Sequence, residues 1–97
     1  MSVYELKNQN KGGVNIGTTS VEVLPKNEAR ILLIICNPSD TAMYISFGED
    51  AVANEGGYLG ARGGLFIFTE EDIHFSLSVH AITALGSNKR LTYIEGY

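Results

Sequence analysis

The sequence predicts a small all-β domain, an antiparallel β-sandwich of jelly-roll type with seven or eight strands. Three observations predict it. Short runs such as 21–24 and 43–47 alternate apolar with polar side chains, the period of a half-buried strand. Glycine, proline and Asn/Asp/Ser clusters interrupt those runs about every ten residues, the spacing of sandwiches and small barrels. No stretch of about twelve residues carries apolar side chains at helical spacing, which removes the alternating helices a parallel α/β sheet needs.

Residues 2–6 read as a weak opening strand, and 7–13 as a polar, glycine-bearing stretch. Residues 20–24 alternate Val21 and Val23 with Ser20 and Glu22 and stop at Pro25. A turn over 26–29 leads into an apolar strand at 30–36. Asn37-Pro38-Ser39-Asp40-Thr41 is a turn, with proline removing a donor where pairing must end. Residues 43–47 set Met43, Ile45 and Phe47 against Tyr44 and Ser46 and end at Gly48. Residues 49–63 form the longest irregular segment, with one helical turn at most over 49–54 and a short strand at Tyr58-Leu59. A strand at 65–68 is closed by the acidic turn Thr69-Glu70-Glu71-Asp72. Residues 73–84 alternate over a length that predicts a break near 76–78. A turn at Gly86-Ser87-Asn88-Lys89 delivers the final strand, 90–95.

Two strands are apolar on both faces. In 31–36, Ile31, Leu33 and Ile35 oppose Leu32, Ile34 and Cys36; in 65–68, Leu65 and Ile67 oppose Phe66 and Phe68. A sandwich normally turns one polar face of each sheet to water, so these strands leave an apolar patch that something must cover. The candidate covers are the segment 49–63, the N-terminal arm and a second subunit.

Ninety-seven residues make one domain, divided here into an arm, 1–13, and a sandwich, 14–97. So short a chain buries only roughly 60% of its unfolded surface, and such domains often lean on disulfides, metals or partners. Cys36 is the only cysteine, so no intrachain disulfide supplements the core; its apolar neighbours give it the character of a small hydrophobe. Seven basic residues against eleven acidic ones give a formal charge of −4, with Lys89-Arg90 the one basic pair. Phosphate binding needs clustered cations, which argues against nucleic acid as a partner. No basic segment followed by a continuous apolar run opens the chain, and no apolar run approaches the roughly 20 residues of a membrane helix. The expectation is a protein made in the cytoplasm, with no membrane partner.

Residue types that carry chemistry are sparse. His74 and His80 stand six residues apart, about 20 Å along an unbroken strand, and neither forms a His-x-His or His-x-Glu pair. Glu70, Glu71 and Asp72 are adjacent in a turn and point in different directions, unlike the facing carboxylates of a glycosidase. No nucleophile elbow is present, and the glycines of 56–64 are not followed by the helix or Lys-Ser/Thr of a phosphate loop. No enzyme, metal site or cofactor is expected. Tyr44, Tyr58 and Tyr93 fit a sugar-stacking surface in chemical type, although tryptophan, the usual residue for that task, is absent.

The run Arg30-Ile-Leu-Leu-Ile-Ile-Cys-Asn-Pro-Ser-Asp-Thr-Ala-Met-Tyr-Ile-Ser-Phe-Gly, followed by Gly57-Tyr-Leu, Gly64-Leu-Phe-Ile-Phe, Val79-His-Ala-Ile-Thr-Ala-Leu-Gly and Leu91-Thr-Tyr-Ile-Glu, resembles the small β-sandwich virion proteins of tailed bacteriophages. The similarity spans 30–95 and rests on strands and turns alone. It implies a head decoration, or cement, protein that binds the major capsid protein lattice on the outer surface of the phage head, as a homotrimer or homodimer. A minor tail, neck or baseplate component is the neighbouring expectation, and a carbohydrate-binding module for host attachment the one from another class. Under the decoration reading, Val3, Tyr4 and Leu6 are the expected capsid contacts. Leu32, Ile34, Phe66, Phe68 and Tyr58 are the expected subunit interface.

Overall fold

The computed structural model describes residues 6–69 and 76–97. Those residues hold eight strands: β1 (Gln9–Ile16), β2 (Val21–Leu24), β3 (Leu32–Asn37), β4 (Met43–Phe47), β5 (Gly57–Leu59), β6 (Gly64–Thr69), β7 (Val79–Thr83) and β8 (Lys89–Gly96). There is no helix among them.

The strands form two antiparallel sheets of four. Sheet A has the order β1-β8-β3-β6 and sheet B the order β2-β7-β4-β5. Every connection passes from one sheet to the other except β4 to β5, which form a hairpin within sheet B. That is the eight-stranded jelly roll, two interleaved Greek keys closed into a sandwich. The connections 17–20, 38–42, 60–63 and 84–88 gather at one end of the sandwich. There Thr83 N–H donates to the Gly17 carbonyl, Arg62 N–H to the Ser39 carbonyl and the Lys89 ammonium to Asp40.

Strand alternation places the core. In β3, Leu33 and Ile35 point inward and are fully buried, while Leu32, Ile34 and Cys36 lie on the outer face. Ile16, Leu33, Ile35 and Leu91 of sheet A meet Val23, Leu24, Met43, Ile45, Leu59, Val79 and Ala81 of sheet B. Phe47 and Phe68 cross edge to face at 6.0 Å between ring centres, and Phe66 lies 6.0 Å from Phe68.

Two expectations change. The sandwich begins at Gln9 and not at residue 14: Gln9–Gly13 pairs with β8 in unbroken register, Gly12 opposite Tyr93 and Gly13 opposite Thr92. The glycines here mark close approach within a strand, not a turn. A Cβ on Gly12 would stand 3.1 Å from the Tyr93 hydroxyl, and one on Gly13 would overlap the Arg90 guanidinium. Second, β3 starts at Leu32, and Arg30 is a buried cation ahead of it. The break expected near 76–78 is present: those residues lie outside any strand and β7 runs Val79–Thr83, while 73–75 fall outside the described residues.

Within 49–63 the chain makes a turn at 53–56, closed by Glu55 N–H donating to the Val52 carbonyl. Gly56 has φ +83°, and a Cβ there would sit 2.7 Å from the Ile45 carbonyl oxygen. Gly56→Ala therefore carries both a left-handed backbone penalty and a steric one, and is expected to cost about 1–3 kcal/mol. Urea denaturation checks this; an unchanged midpoint would show that the turn relaxes freely.

Candidate functional site

The outer face of sheet A is built in rows fixed by register. One row runs Lys11, Ile94, Ile34, Ile67; the next runs Gly13, Thr92, Cys36, Leu65; the third runs Gln9, Gly96, Leu32, Thr69. Polarity therefore changes across the sheet: β1 contributes Gln9, Lys11 and Gly13 and β8 contributes Thr92, Ile94 and Gly96, whereas β3 and β6 contribute Leu32, Ile34, Cys36, Leu65 and Ile67, with Thr69 at the end of β6. Leu65 and Ile67 are 51% and 54% exposed. Lys11, Gly12, Ile34, Cys36, Thr92, Tyr93 and Ile94 line an open depression of about 520 Å³ on this sheet.

Of the expected interface residues, Leu32 and Ile34 do lie on this face, half-buried by their neighbours. Phe66 and Phe68 do not. They point inward and pack against the core, Phe66 within 3.1 Å of where a Gly57 Cβ would be, and the outward positions of β6 belong to Leu65 and Ile67. The alternation of four consecutive apolar residues is silent about which pair faces out. Tyr58 is on sheet B, at its β5 edge, 60% exposed, edge-to-face with Tyr44 at 5.7 Å and 67°. The sheet A patch and Tyr58 thus sit on different sheets.

Segment 49–63 does not roof the sheet A face. Its Asn54 accepts from the Tyr44 hydroxyl on sheet B, and Ala51 N–H donates to the Ser20 hydroxyl. Of the expected arm contacts, Val3 and Tyr4 lie outside the described residues. Leu6 touches the corner of the face, over Gly96 and Leu32, while Lys7 and Asn8 donate backbone N–H groups to the Tyr97 carbonyl.

Two buried polar clusters that the sequence did not advertise brace the two ends of the sandwich. At one, Arg30 Nε donates to Glu95 at 2.7 Å, Nη1 to the Leu77 carbonyl at 2.8 Å and Nη2 to the Pro25 carbonyl at 3.0 Å; Asn10 donates to the other Glu95 oxygen at 3.2 Å. At the other, Asn37 donates to the carbonyls of Thr41 and Leu59, and its oxygen accepts from Ser39 N–H and the Ser39 hydroxyl. Both are structural: each lies within the fold and its hydrogen-bonding capacity is directed at backbone and neighbouring side chains.

Groups suited to chemistry are dispersed. His80 Nε2 shares a hydrogen bond with the Ser78 hydroxyl at 2.9 Å, and its Nδ1 is 3.9 Å from Asp50. His74, Glu70, Glu71 and Asp72 fall outside the described residues. Glu49, Asp50 and Glu55 border a hollow of about 120 Å³ beside Ser46, Val52 and Gly56. Among the described residues, no three His, Cys, Asp or Glu side chains converge as a metal site would require. Asp40, on the surface, has its carboxyl held below the usual range by hydrogen bonds from Lys89 and Thr41 and by the Lys89 charge. No helix among the described residues is long and apolar enough to cross a membrane.

No protein-family model matches the chain, and no curated protein is significantly similar to it. The class defined by fold and surface is therefore a jelly-roll domain with one apolar outer sheet face.

Proposed function

We propose that this chain is a structural component of a tailed-phage virion, a head decoration protein that works by burying surface against neighbouring protein. The observation that carries the reading is the apolar outer face of sheet A, with Leu65 and Ile67 about half exposed on a domain of only 97 residues. Small monomers seldom leave such a face to water, and contiguous apolar patches mark association sites. The jelly roll supports it by analogy, since capsid proteins use this fold, as do lectins and cupins. The resemblance of 30–95 to phage virion proteins points the same way. In this reading the partners are the major capsid protein and further copies of the chain, and the location is the outer surface of the phage head.

Of the three tyrosines behind the carbohydrate-binding alternative, Tyr93 packs against the core from sheet A, which leaves Tyr58 and Tyr44. Their rings stand at 67° to one another, edge to face, and so make no continuous flat platform for a sugar. That geometry favours the assembly reading.

Quantitative mass spectrometry of purified particles tests the proposal. A copy number equal to the major capsid protein, or a simple fraction of it, is the expected result. A few per cent would move the chain to the tail, neck or baseplate, and complete absence would overturn the virion reading.

A further inference from the structure

We infer that the loop end of the sandwich, formed by 17–20, 38–42, 60–63 and 84–88, is a docking surface for an acidic segment of a partner protein. Arg62 and Arg90 take its carboxylates, and Leu85 enters its apolar side. The inference rests on the reading of this chain as one that binds neighbouring protein, and it adds the surface used and the chemistry of what that surface meets.

Charge picks out this end. Among the described residues it holds Arg62, Lys89 and Arg90 against one carboxylate, Asp40, on a chain whose formal charge is −4. Asp40 is already taken by the Lys89 ammonium at 2.9 Å. Neither guanidinium is answered by a carboxylate. Arg90 reaches the Asn15 amide oxygen at 3.4 Å, and the exposed Arg62 side chain bonds to no described residue. Glu28 and Glu49 stand at the opposite end, in connections whose backbone bonds run to Ser76 and Ser78. A positive end on a negative chain steers and orients an approaching acidic surface.

The backbone singles out position 62. Its connection is Gly60-Ala61-Arg62-Gly63, closed by Gly64 N–H donating to the Gly60 carbonyl and fastened to 37–39 by the N–H groups of Arg62 and Gly63. Arg62 has φ +58°, a left-handed conformation that glycine adopts freely and a side chain adopts at a penalty. Glycine occupies 60, 63 and 64, yet the strained position carries an arginine whose guanidinium serves no described neighbour. Strain of this kind concentrates at binding sites, and the planar guanidinium matches a carboxylate with two parallel bonds.

Leu85 supplies the apolar part. It is 76% exposed, against 54% for Ile67 on sheet A. Its connection is held by Thr83 N–H on the Gly17 carbonyl and bent by left-handed Gly86 and Asn88, so the side chain is presented on a fixed support. A preformed loop loses little freedom on binding. Apolar anchors beside arginine are the composition of a protein contact. Nucleic acid fits poorly, because the cations are few and the four connections hold no aromatic ring to stack on a base.

Nuclear magnetic resonance of the full chain, labelled with nitrogen-15, tests the inference with a short oligoglutamate peptide bearing a central leucine as probe. The expected result is amide shifts at 61–63 and 84–90 and none at 26–30, abolished in about 1 M sodium chloride, where the Debye length falls to about 3 Å. Arg62→Gly is expected to weaken binding about tenfold or more while the urea midpoint stays level or rises, since glycine relieves the strain. Leu85→Ser weakens binding as well, and Lys26→Glu at the opposite end does not. No shifts, shifts centred elsewhere, or an Arg62→Gly variant that binds like wild type overturn the inference. So does a single-stranded oligonucleotide that displaces the peptide from these amides, which would assign the end to nucleic acid. Concentration-dependent shifts here and at 49–55 without peptide would assign it to another copy of the chain and overturn it too. The peptide needs no virion: its failure to bind overturns the docking end alone, and absence of the chain from particles overturns the virion reading alone.

Discussion

Arg30→Met is expected to destabilise the domain by about 3–5 kcal/mol, the cost of leaving one member of a buried ion pair behind. Arg30 is fully buried, and its guanidinium ties together three separate parts of the chain. It holds Glu95 at the end of β8, Pro25 at the end of β2 and Leu77 ahead of β7. Methionine retains much of the volume and supplies none of the donors. Glu95, almost fully buried, is then left with the Asn10 amide, and the carbonyls of Leu77 and Pro25 each lose a charge-assisted bond. A domain of this size has about 5–15 kcal/mol in total, so the variant approaches the threshold of folding at ambient temperature. Each kcal/mol lowers the melting temperature by roughly 4–8 °C, which makes thermal denaturation a sensitive readout.

The double variant Arg30→Met/Glu95→Leu separates the pair from its surroundings. Removing both charges abolishes the stranded carboxylate, so the double variant is expected to be more stable than Arg30→Met alone. It stays below wild type, because the Leu77 and Pro25 carbonyls still lack their donor. Urea midpoints of the four proteins in the cycle check the ordering. A double variant no better than Arg30→Met would show that the backbone carbonyls, and not Glu95, carry the cost.

That cluster also shows why the sequence disclosed some of this molecule and not the rest. The strand at 43–47 was legible because Tyr44 and Ser46 alternate with three apolar residues, so pattern and burial agree. Arg30 and Glu95 were illegible because they lie 65 residues apart, and each alone reads as a surface charge at a strand end. Asn37 is a sharper case. It shares the inward side of β3 with Leu33 and Ile35, so the polar residue at that strand's end marks the core face and not the wet one. Leu65 to Phe68 gave no parity at all, being apolar throughout, and only register against β3 decides that the phenylalanines go in. The glycines of β1 misled for a related reason: Gly12 and Gly13 make room for Tyr93 and Arg90, residues some 80 positions away whose approach no local pattern announces. The apolar outer face was foreseeable in kind from two-faced strands, while its membership was a property of the pairing.

Asn37→Leu is expected to lose about 3 kcal/mol, with the damage at the opposite end of the sandwich. The side chain is fully buried and uses both its donors and its acceptor oxygen: N–H to Thr41 and Leu59 carbonyls at 2.8 and 3.0 Å, oxygen from Ser39 N–H at 3.1 Å and the Ser39 hydroxyl at 2.6 Å. Through these bonds one amide closes the β3–β4 turn and pins it to the end of β5. Leucine is close in shape and leaves those groups in place, so the turn must either bury them unpaired, at about 1–3 kcal/mol for each, or open to water. Opening has a further consequence, because Gly63 N–H donates to the Asn37 carbonyl and Arg62 N–H to that of Ser39, so the 60–63 connection loosens with it. Hydrogen exchange at Arg62 and Gly63 is therefore expected to accelerate in the variant while exchange at the Arg30 end does not. Asn37→Asp distinguishes lost bonds from lost shape. At neutral pH the carboxylate keeps both Ser39 contacts but sets an oxygen against the Thr41 and Leu59 carbonyls. Burial and that repulsion raise its pKa in the folded state above the unfolded value. Stability is then lowest above the folded-state pKa, where the group is ionised in both states, and it rises as pH falls from that pKa toward the unfolded-state value and one donor is restored. Asn37→Leu has no such recovery. If acidification rescues neither variant, the fold at this end is held by packing of Leu59 and Met43, and the amide is a passenger.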